Sequence, residues 1–106
     1  MRLAVTRSGF YNADIYCVDS RSAKQKLKEE FISILAIDFY LKGRESGCDV
    51  IDWAYKQNLL PCHIVIIERD RIRRRILLQQ LLSMGYRSKD ETTFIKHRPC
   101  PRSATG

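Results

Sequence analysis

A chain of 106 residues, 44% of them hydrophobic, is long enough for one domain with an apolar core, which excludes an intrinsically disordered protein. The formal net charge of +7 favours acidic partners, such as an acidic protein surface, a nucleoprotein complex or nucleic acid, and does not choose among them. No segment approaches the roughly 18 apolar residues of a membrane span, and no N-terminal signal peptide is visible, so we expect no membrane partner and a cytoplasmic location.

The first half of the chain predicts three strands and one helix. Residues 1–6 (MRLAVT) and 14–18 (DIYCV) are rich in residues that favour strands. Residues 23–30 (AKQKLKEE) have the thin apolar stripe of a short charged helix. The run 31–41 (FISILAIDFYL) is nearly all apolar at its centre, which indicates a strand buried on both faces of a sheet, with Asp38 near its C-terminal end.

The second half predicts two further helices and two further strands. Ser46, with an acidic residue three positions later, begins a capping-box pattern before a helix over residues 48–58. The apolar run 64–67 (IVII) predicts a buried strand that leads directly into a helix ending at Gly85. Residues 92–96 (TTFIK) predict a last short strand.

These elements follow one another in the order β-β-α-β-α-β-α-β. The alternation predicts an α/β fold, a small three-layer sandwich with a five-stranded, mostly parallel sheet and helices on both faces. We expect residues 1–97 to form the domain and residues 98–106 to form a mobile tail. Because ligands bind at the C-terminal ends of the strands in such sheets, Arg7, Asp38 and Lys96 are expected to meet there as an anion pocket.

Arginines crowd the junction between the second buried strand and the helix that follows it, at Arg69, Arg71, Arg73, Arg74 and Arg75. A helix N-terminus already carries partial positive charge, so arginine is electrostatically unfavourable there. One interpretation is a solvated face whose long side-chain stems cover apolar surface. The other is a binding edge at which guanidinium groups meet phosphates or an acidic partner, and we predict that these five residues bind the partner.

The cysteines predict reduced thiols rather than a metal centre, because no C-x-x-C pair occurs among Cys17, Cys48, Cys62 and Cys100. Cys62 and His63 could join His97 and Cys100 as four zinc ligands. If the strands that carry these pairs run parallel, however, the pairs lie at opposite ends of the sheet. We therefore expect no metal and no cofactor.

Three segments in the middle of the chain carry a family resemblance. They are the apolar strand that reaches Asp38 (ILAIDFYL), the segment with Gly47 and Trp53 (GCDVIDWA), and the strand–helix unit that ends in glycine and an aromatic residue (IVIIERDRIRRRILLQQLLSMGY). Together they resemble response-regulator receiver domains, and more closely the small receiver variants that process cyclic phosphates. The resemblance implies a receiver or flavodoxin-like fold over residues 1–97, with Asp38 as a phospho-acceptor and Lys96 as the receiver lysine.

The catalytic set of that family does not carry over. Receivers place an acidic pair after the first strand to hold magnesium, where this chain has Thr6-Arg7. The Asp-His-Asp-Leu segment of the variants corresponds to residues 38–41, which read DFYL, and their His-Ser pair corresponds to residues 67–68, which read IE. One aspartate beside an arginine makes a poor magnesium site, so we predict no catalytic residues. We expect Asp38 to cap a helix or to pair with Arg7, Arg44 or Arg69.

Three functions remain open at this point. The first is a non-catalytic interaction module that binds, and inhibits or regulates, a protein or protein–nucleic-acid machine through its basic helix edge, as small phage-like proteins do. The second is an electrostatic nucleic-acid-binding protein, whose affinity would fall steeply with salt. The third is a phosphoesterase or phospho-acceptor receiver that uses Asp38.

Overall fold

The computed structural model describes residues 1–7, 11–90 and 92–96. Nine elements follow one another: β1 (Arg2–Val5), β2 (Ile15–Cys17), α1 (Ser20–Glu29), β3 (Ile34–Ile37), α2 (Gly47–Lys56), β4 (His63–Ile66), α3 (Arg71–Ser83), β5 (Arg87–Ser88) and β6 (Thr93–Ile95). The predicted α/β class is confirmed, and the order of elements differs from the prediction by one addition, the two-residue strand β5. The expected tail at residues 98–106 lies outside the described residues.

The sheet is mixed and six-stranded, in the order β2-β1-β3-β4-β6-β5. Strands β2, β1, β3 and β4 are parallel, whereas β6 runs antiparallel to both β4 and β5. The prediction of five mostly parallel strands is therefore wrong at one edge. The helix α3 leads to the short β5, and β6, the predicted last strand, returns antiparallel to it, as in a hairpin. The strand β6 also pairs with β4, so it lies between β4 and β5 in the sheet.

All three helices pack against one face of the sheet. Alternate strand residues, which point to the same face, share one core with buried residues of α1, α2 and α3; this core includes Leu3, Val5, Leu35, Ile37, Ile64, Ile66, Phe94, Leu27, Val50, Ile51, Leu77 and Leu81. Ala4 and Ala36, on the opposite face, are buried but do not belong to it. The prediction of helices on both faces is therefore wrong, because right-handed crossovers that all advance in one direction pass over one face.

Side-chain caps fix where the helices begin. Asp19 accepts a hydrogen bond from the backbone N–H of Ser22 (2.8 Å) at the start of α1. At α2 the N–H of Ser46 donates to the carboxylate of Asp49 (2.7 Å), and the predicted capping box is confirmed. Asp70 accepts a hydrogen bond from the backbone N–H of Arg73 (2.9 Å), which fixes the start of α3 at Arg71.

The cysteines differ in part from the prediction. Cys17 and Cys48 are free thiols, as expected. Cys62 is disulfide-bonded, so the prediction of a reduced thiol is wrong there. The argument against a zinc site assumed that the strands carrying the two ligand pairs run parallel. That assumption is wrong, because β6 is antiparallel to β4 and the N–H of Lys96 donates to the carbonyl of Cys62 (2.9 Å). Within the described residues no three metal-ligating side chains cluster; His97 and Cys100 lie outside them.

No helix in the described part of the chain combines the length and the apolar character needed to cross a membrane.

Candidate functional site at the carboxyl edge of the sheet

A cavity of about 530 Å³ opens at the carboxyl ends of β3 and β4. Its lining includes Tyr11, Asp38, residues 65–69, Arg74 and Thr92. The carboxyl ends of parallel strands meet at one edge, where the sequence analysis expected a ligand pocket. The cavity lies at that edge, and α3 begins beside it.

Asp38 and Glu68 form a carboxyl pair in this cavity. The N–H of Phe39 donates to both of them, to Oδ1 of Asp38 (3.0 Å) and to Oε1 of Glu68 (3.2 Å). The hydroxyl of Thr6 donates to Oδ2 of Asp38 (3.0 Å), and the N–H of Asp70 donates to Oε2 of Glu68 (3.0 Å). The sequence analysis expected an arginine partner for Asp38, whereas the structure pairs it with another acid.

The two carboxyl groups affect each other's pKa values in opposite directions. Burial raises the pKa of Asp38, and Glu68 raises it further by accepting a hydrogen bond from the protonated form and by repelling a second negative charge. Burial acts in the same direction on Glu68, but hydrogen bonds from Asp38 and from the N–H groups of Asp70 and Phe39 outweigh it and hold the pKa of Glu68 below its usual value. When the pair takes up its first proton, Asp38 is therefore favoured over Glu68 as the site that carries it.

We expect the variant Asp38→Asn to gain stability relative to the wild type as the pH rises. A raised pKa in the folded state means that the stability Asp38 contributes is fully present below its unfolded pKa of about 3.9 and is lost as the pH rises through the folded value. Asparagine keeps an N–H donor facing Glu68 and has no proton to lose. Urea unfolding at about pH 4 and about pH 8 measures the difference.

The lowered pKa of Glu68 acts in the opposite sense, and its contribution begins to be lost as the pH falls below about 4.3. Because asparagine keeps a donor toward Glu68, this loss occurs in the wild type and in the variant alike and largely cancels in their difference. Asp52→Asn, on the exposed side of α2, is the matched control and should show a smaller difference between the two pH values than Asp38→Asn does. A difference for Asp38→Asn no larger than that of the control would show that burial beside Glu68 does not favour the protonated form of Asp38.

The structure divides the five predicted partner-binding arginines into two groups. The guanidinium of Arg73 lies 4.2 Å from the centre of the Tyr40 ring, and Arg74 donates to the carbonyls of Glu68 (3.2 Å) and Arg69 (3.4 Å). Both side chains are half-buried; Arg74 holds the segment between β4 and α3 in place, and Arg73 contacts the segment that follows β3. The other three, Arg69, Arg71 and Arg75, are exposed, and Arg69 lines the cavity.

The structure separates the three residues of the predicted anion pocket. Arg7 lies at the carboxyl edge, with its guanidinium 5.9 Å from the centre of the Tyr40 ring. Lys96 lies at the other edge of the sheet, where its ammonium group is 5.4 Å from the ring of Tyr55 and 5.6 Å from that of Tyr86. The cause is the antiparallel direction of β6, which carries residue 96 away from Asp38.

A second feature lies on α3, which buries Leu77 and Leu81 against the sheet but also exposes large apolar side chains. Ile72 is 74% exposed, Ile76 45% and Leu82 44%. We call these three residues, together with Arg71 and Arg75, the outer face of α3. A shallow depression of about 660 Å³ borders this face, lined by Arg71, Ile72, Arg74, Arg75 and Leu78.

The sequence did not predict that Glu68 pairs with Asp38, and it did not predict the outer face of α3 as a functional feature. Glu68 directly follows the buried run 64–67, so the rule that placed Asp38 at the carboxyl edge also applies to it. Ile72 and Ile76 are one helical turn apart and lie on the side of α3 opposite Leu77 and Leu81. A helical projection of α3 would have shown two apolar stripes rather than one.

Comparison with models of protein families, with curated proteins and with solved structures finds no match to this chain.

Proposed function

We propose that this protein is a non-catalytic interaction module, and that it binds a protein partner through the outer face of α3. The observation that supports this most is the exposure of Ile72, Ile76 and Leu82 along one helix, beside two exposed arginines. Burial of such a side chain is worth about 1.5–3 kcal/mol, so three exposed apolar residues on the outer side of one helix favour a surface that becomes covered.

The mixture of apolar and cationic groups favours a protein over nucleic acid. A phosphate backbone would pair with Arg71 and Arg75 but would leave Ile72 and Ile76 in water. A protein interface uses both kinds of group, with an apolar centre and arginine among its enriched residues. Nucleic-acid binding is therefore the second candidate, supported by the net charge of +7.

The carboxyl pair argues against a phosphoesterase or a phospho-acceptor. A carboxyl group that keeps its proton is a poor nucleophile toward phosphorus, and the raised pKa of Asp38 favours that form. The charge on neighbouring Glu68 would also repel an incoming phosphate. We rank this function last.

A receiver-like ancestry, an inhibitory or regulatory role and a cytoplasmic location belong to the same proposal. The order β2-β1-β3-β4 of the parallel strands supports the first of these, since it is the order of the first four strands in flavodoxin-like sheets. The antiparallel β6 and the single layer of helices depart from that family. The disulfide at Cys62 is atypical of cytosolic proteins and does not support the location.

The test is capture of partners from native cell extract by the tagged protein, with and without nuclease, at about 50 mM and about 500 mM salt. The variant Arg71→Glu/Arg75→Glu is compared with Arg21→Glu/Lys28→Glu, which changes the net charge equally on exposed positions of α1. We expect a defined protein that withstands nuclease and is retained by the wild type and the α1 variant but lost from the α3 variant.

Two other results would overturn the proposal. Recovery of nucleic acid only at low salt, reduced equally by both variants, would favour electrostatic nucleic-acid binding. Equal recovery of every protein by the wild type and the α3 variant would show that the outer face of α3 is a solvated surface.

A further inference from the structure

We infer that the partner docks an amphipathic α-helix on the outer face of α3, acidic at the end that meets Arg71 and Arg75 and apolar along the stripe from Ile72 to Leu82. This inference rests on the proposed function and adds the chemistry and the shape of the partner. Three observations support it: the geometry of the stripe, the hydrogen bonding of the α3 backbone within the helix, and the distribution of charge along α3.

The stripe has the dimensions of a helix–helix contact. Ile72 and Ile76 are four residues apart and form the kind of ridge that packs into the groove of another helix. From Ile72 to Leu82 the rise is about 15 Å, which corresponds to about three turns of a partner helix. The depression beside Ile72, bordered by Leu78, offers room for an apolar side chain of the partner.

The backbone of α3 favours a helical partner over an extended one. An extended peptide gains affinity mainly by adding main-chain hydrogen bonds to an exposed sheet edge. The N–H and C=O groups within α3 are bonded inside the helix, so this face has no such edge to offer. A helix, whose own backbone groups are also satisfied, needs only side-chain contacts and therefore suits this surface.

The charges of α3 are confined to one end. Four arginines lie within residues 71–75, residues 76–83 carry no charged side chain, and no acidic residue occurs in the helix. The positive end of the helix dipole lies at the same end, and the carboxylate of Asp70 is already engaged as the cap of α3. The complementary surface is therefore acidic at one end and uncharged at the other.

Other occupants fit this face less well. A second copy of the chain would bring another protein of charge +7 to the same surface, and two like charges repel. Nucleic acid would leave the isoleucines uncovered. An anionic membrane would bind both arginine and isoleucine side chains. Its surface is uniform, however, and does not match a helix with arginines at one end and uncharged residues at the other.

The test uses a labelled helical peptide of about 16 residues, with leucines along one face and glutamates flanking one end, and measures its binding by fluorescence anisotropy. Two matched peptides have the same composition with the leucines scrambled, or lysine in place of each glutamate. We expect the wild-type protein to bind the first peptide at least about tenfold more tightly than either matched peptide, a difference of about 1.4 kcal/mol.

Protein variants locate the binding. Ile72→Ser/Ile76→Ser and, separately, Arg71→Glu/Arg75→Glu should each weaken binding at least about tenfold, while unfolding midpoints confirm that the variants fold. Val18→Ser, which removes an equally exposed apolar side chain (44%) outside α3, is the control and should bind as the wild type does.

Several results would overturn the inference: no binding of the first peptide, equal binding of the scrambled peptide, or stronger binding to phosphatidylserine vesicles or duplex DNA. The failure of the inference is distinguishable from that of the proposed function. If extract capture yields a protein that requires the outer face of α3 while the peptide does not bind, the face binds a partner of another shape. If both experiments fail, the proposed function falls with the inference.

Discussion

Replacing Gly47 with alanine is expected to lower the free energy of unfolding by about 3 kcal/mol or more, because there is no space for a side chain at this position. An added Cβ would lie 2.1 Å from the carbonyl oxygen of Asp38 and 3.0 Å from Cγ1 of Ile37. The nearest atom belongs to the backbone and cannot rotate away. The N–H of Gly47 also donates to the carbonyl of Phe39 (2.8 Å), so moving α2 outward would break this bond. Urea unfolding measures the loss.

Gly43 provides the matched control for this substitution. Its φ of +96° favours glycine, but no atom lies within 4 Å of an added Cβ. Gly43→Ala should therefore cost only about 1 kcal/mol, the strain of a left-handed conformation without a clash. Equal losses for the two variants would show that the close approach of α2 to β3 does not limit stability. Because Gly47 contacts Asp38, its replacement should also shift the backbone that carries the carboxyl pair.

Replacing Phe94 with alanine is expected to cost about 3–5 kcal/mol and to release the β5–β6 pair from the sheet. Phe94 is fully buried and lies opposite Ile64 in the antiparallel pairing that the sequence did not predict. It supplies the largest fully buried side chain of β6, so little else would hold this strand against β4. Urea unfolding gives the energy. Hydrogen exchange at the N–H groups of Ile66 and Lys96 reports the release, because they donate to the carbonyls of Thr92 and Cys62 at the two ends of the β4–β6 pairing.

Thr93→Ala is the control, since Thr93 is half-buried and points to the opposite face of the sheet. It should cost less than about 1 kcal/mol and leave exchange at Ile66 unchanged. If Phe94→Ala costs no more than this control, β6 does not share the core, and the antiparallel edge would need another source of stability.

The sequence determined the local structure and part of the site. Apolar runs such as 34–37 and 64–66 form strands because they can be buried only inside a sheet, and polar caps such as Asp70 fix where the helices begin. Strand ends are local features, so Asp38 could be placed at the carboxyl edge from sequence alone. The concentration of arginine at the start of α3 was visible in the same way.

The tertiary structure decided the features that depend on how distant segments meet. Whether β6 enters the sheet parallel or antiparallel depends on its pairing with β5, a two-residue strand without an apolar pattern, and this pairing carried Lys96 away from Asp38. A single sequence does not show which acid will lie beside Asp38, because that depends on the register of two strands separated by a helix. The packing of all helices on one face left Ile72 and Ile76 exposed, since α3 has only one side to bury. The preference of a segment for helix or strand depends on its own residues. The pairing of strands, and the side of the sheet on which helices pack, depend on the energies of all the segments together.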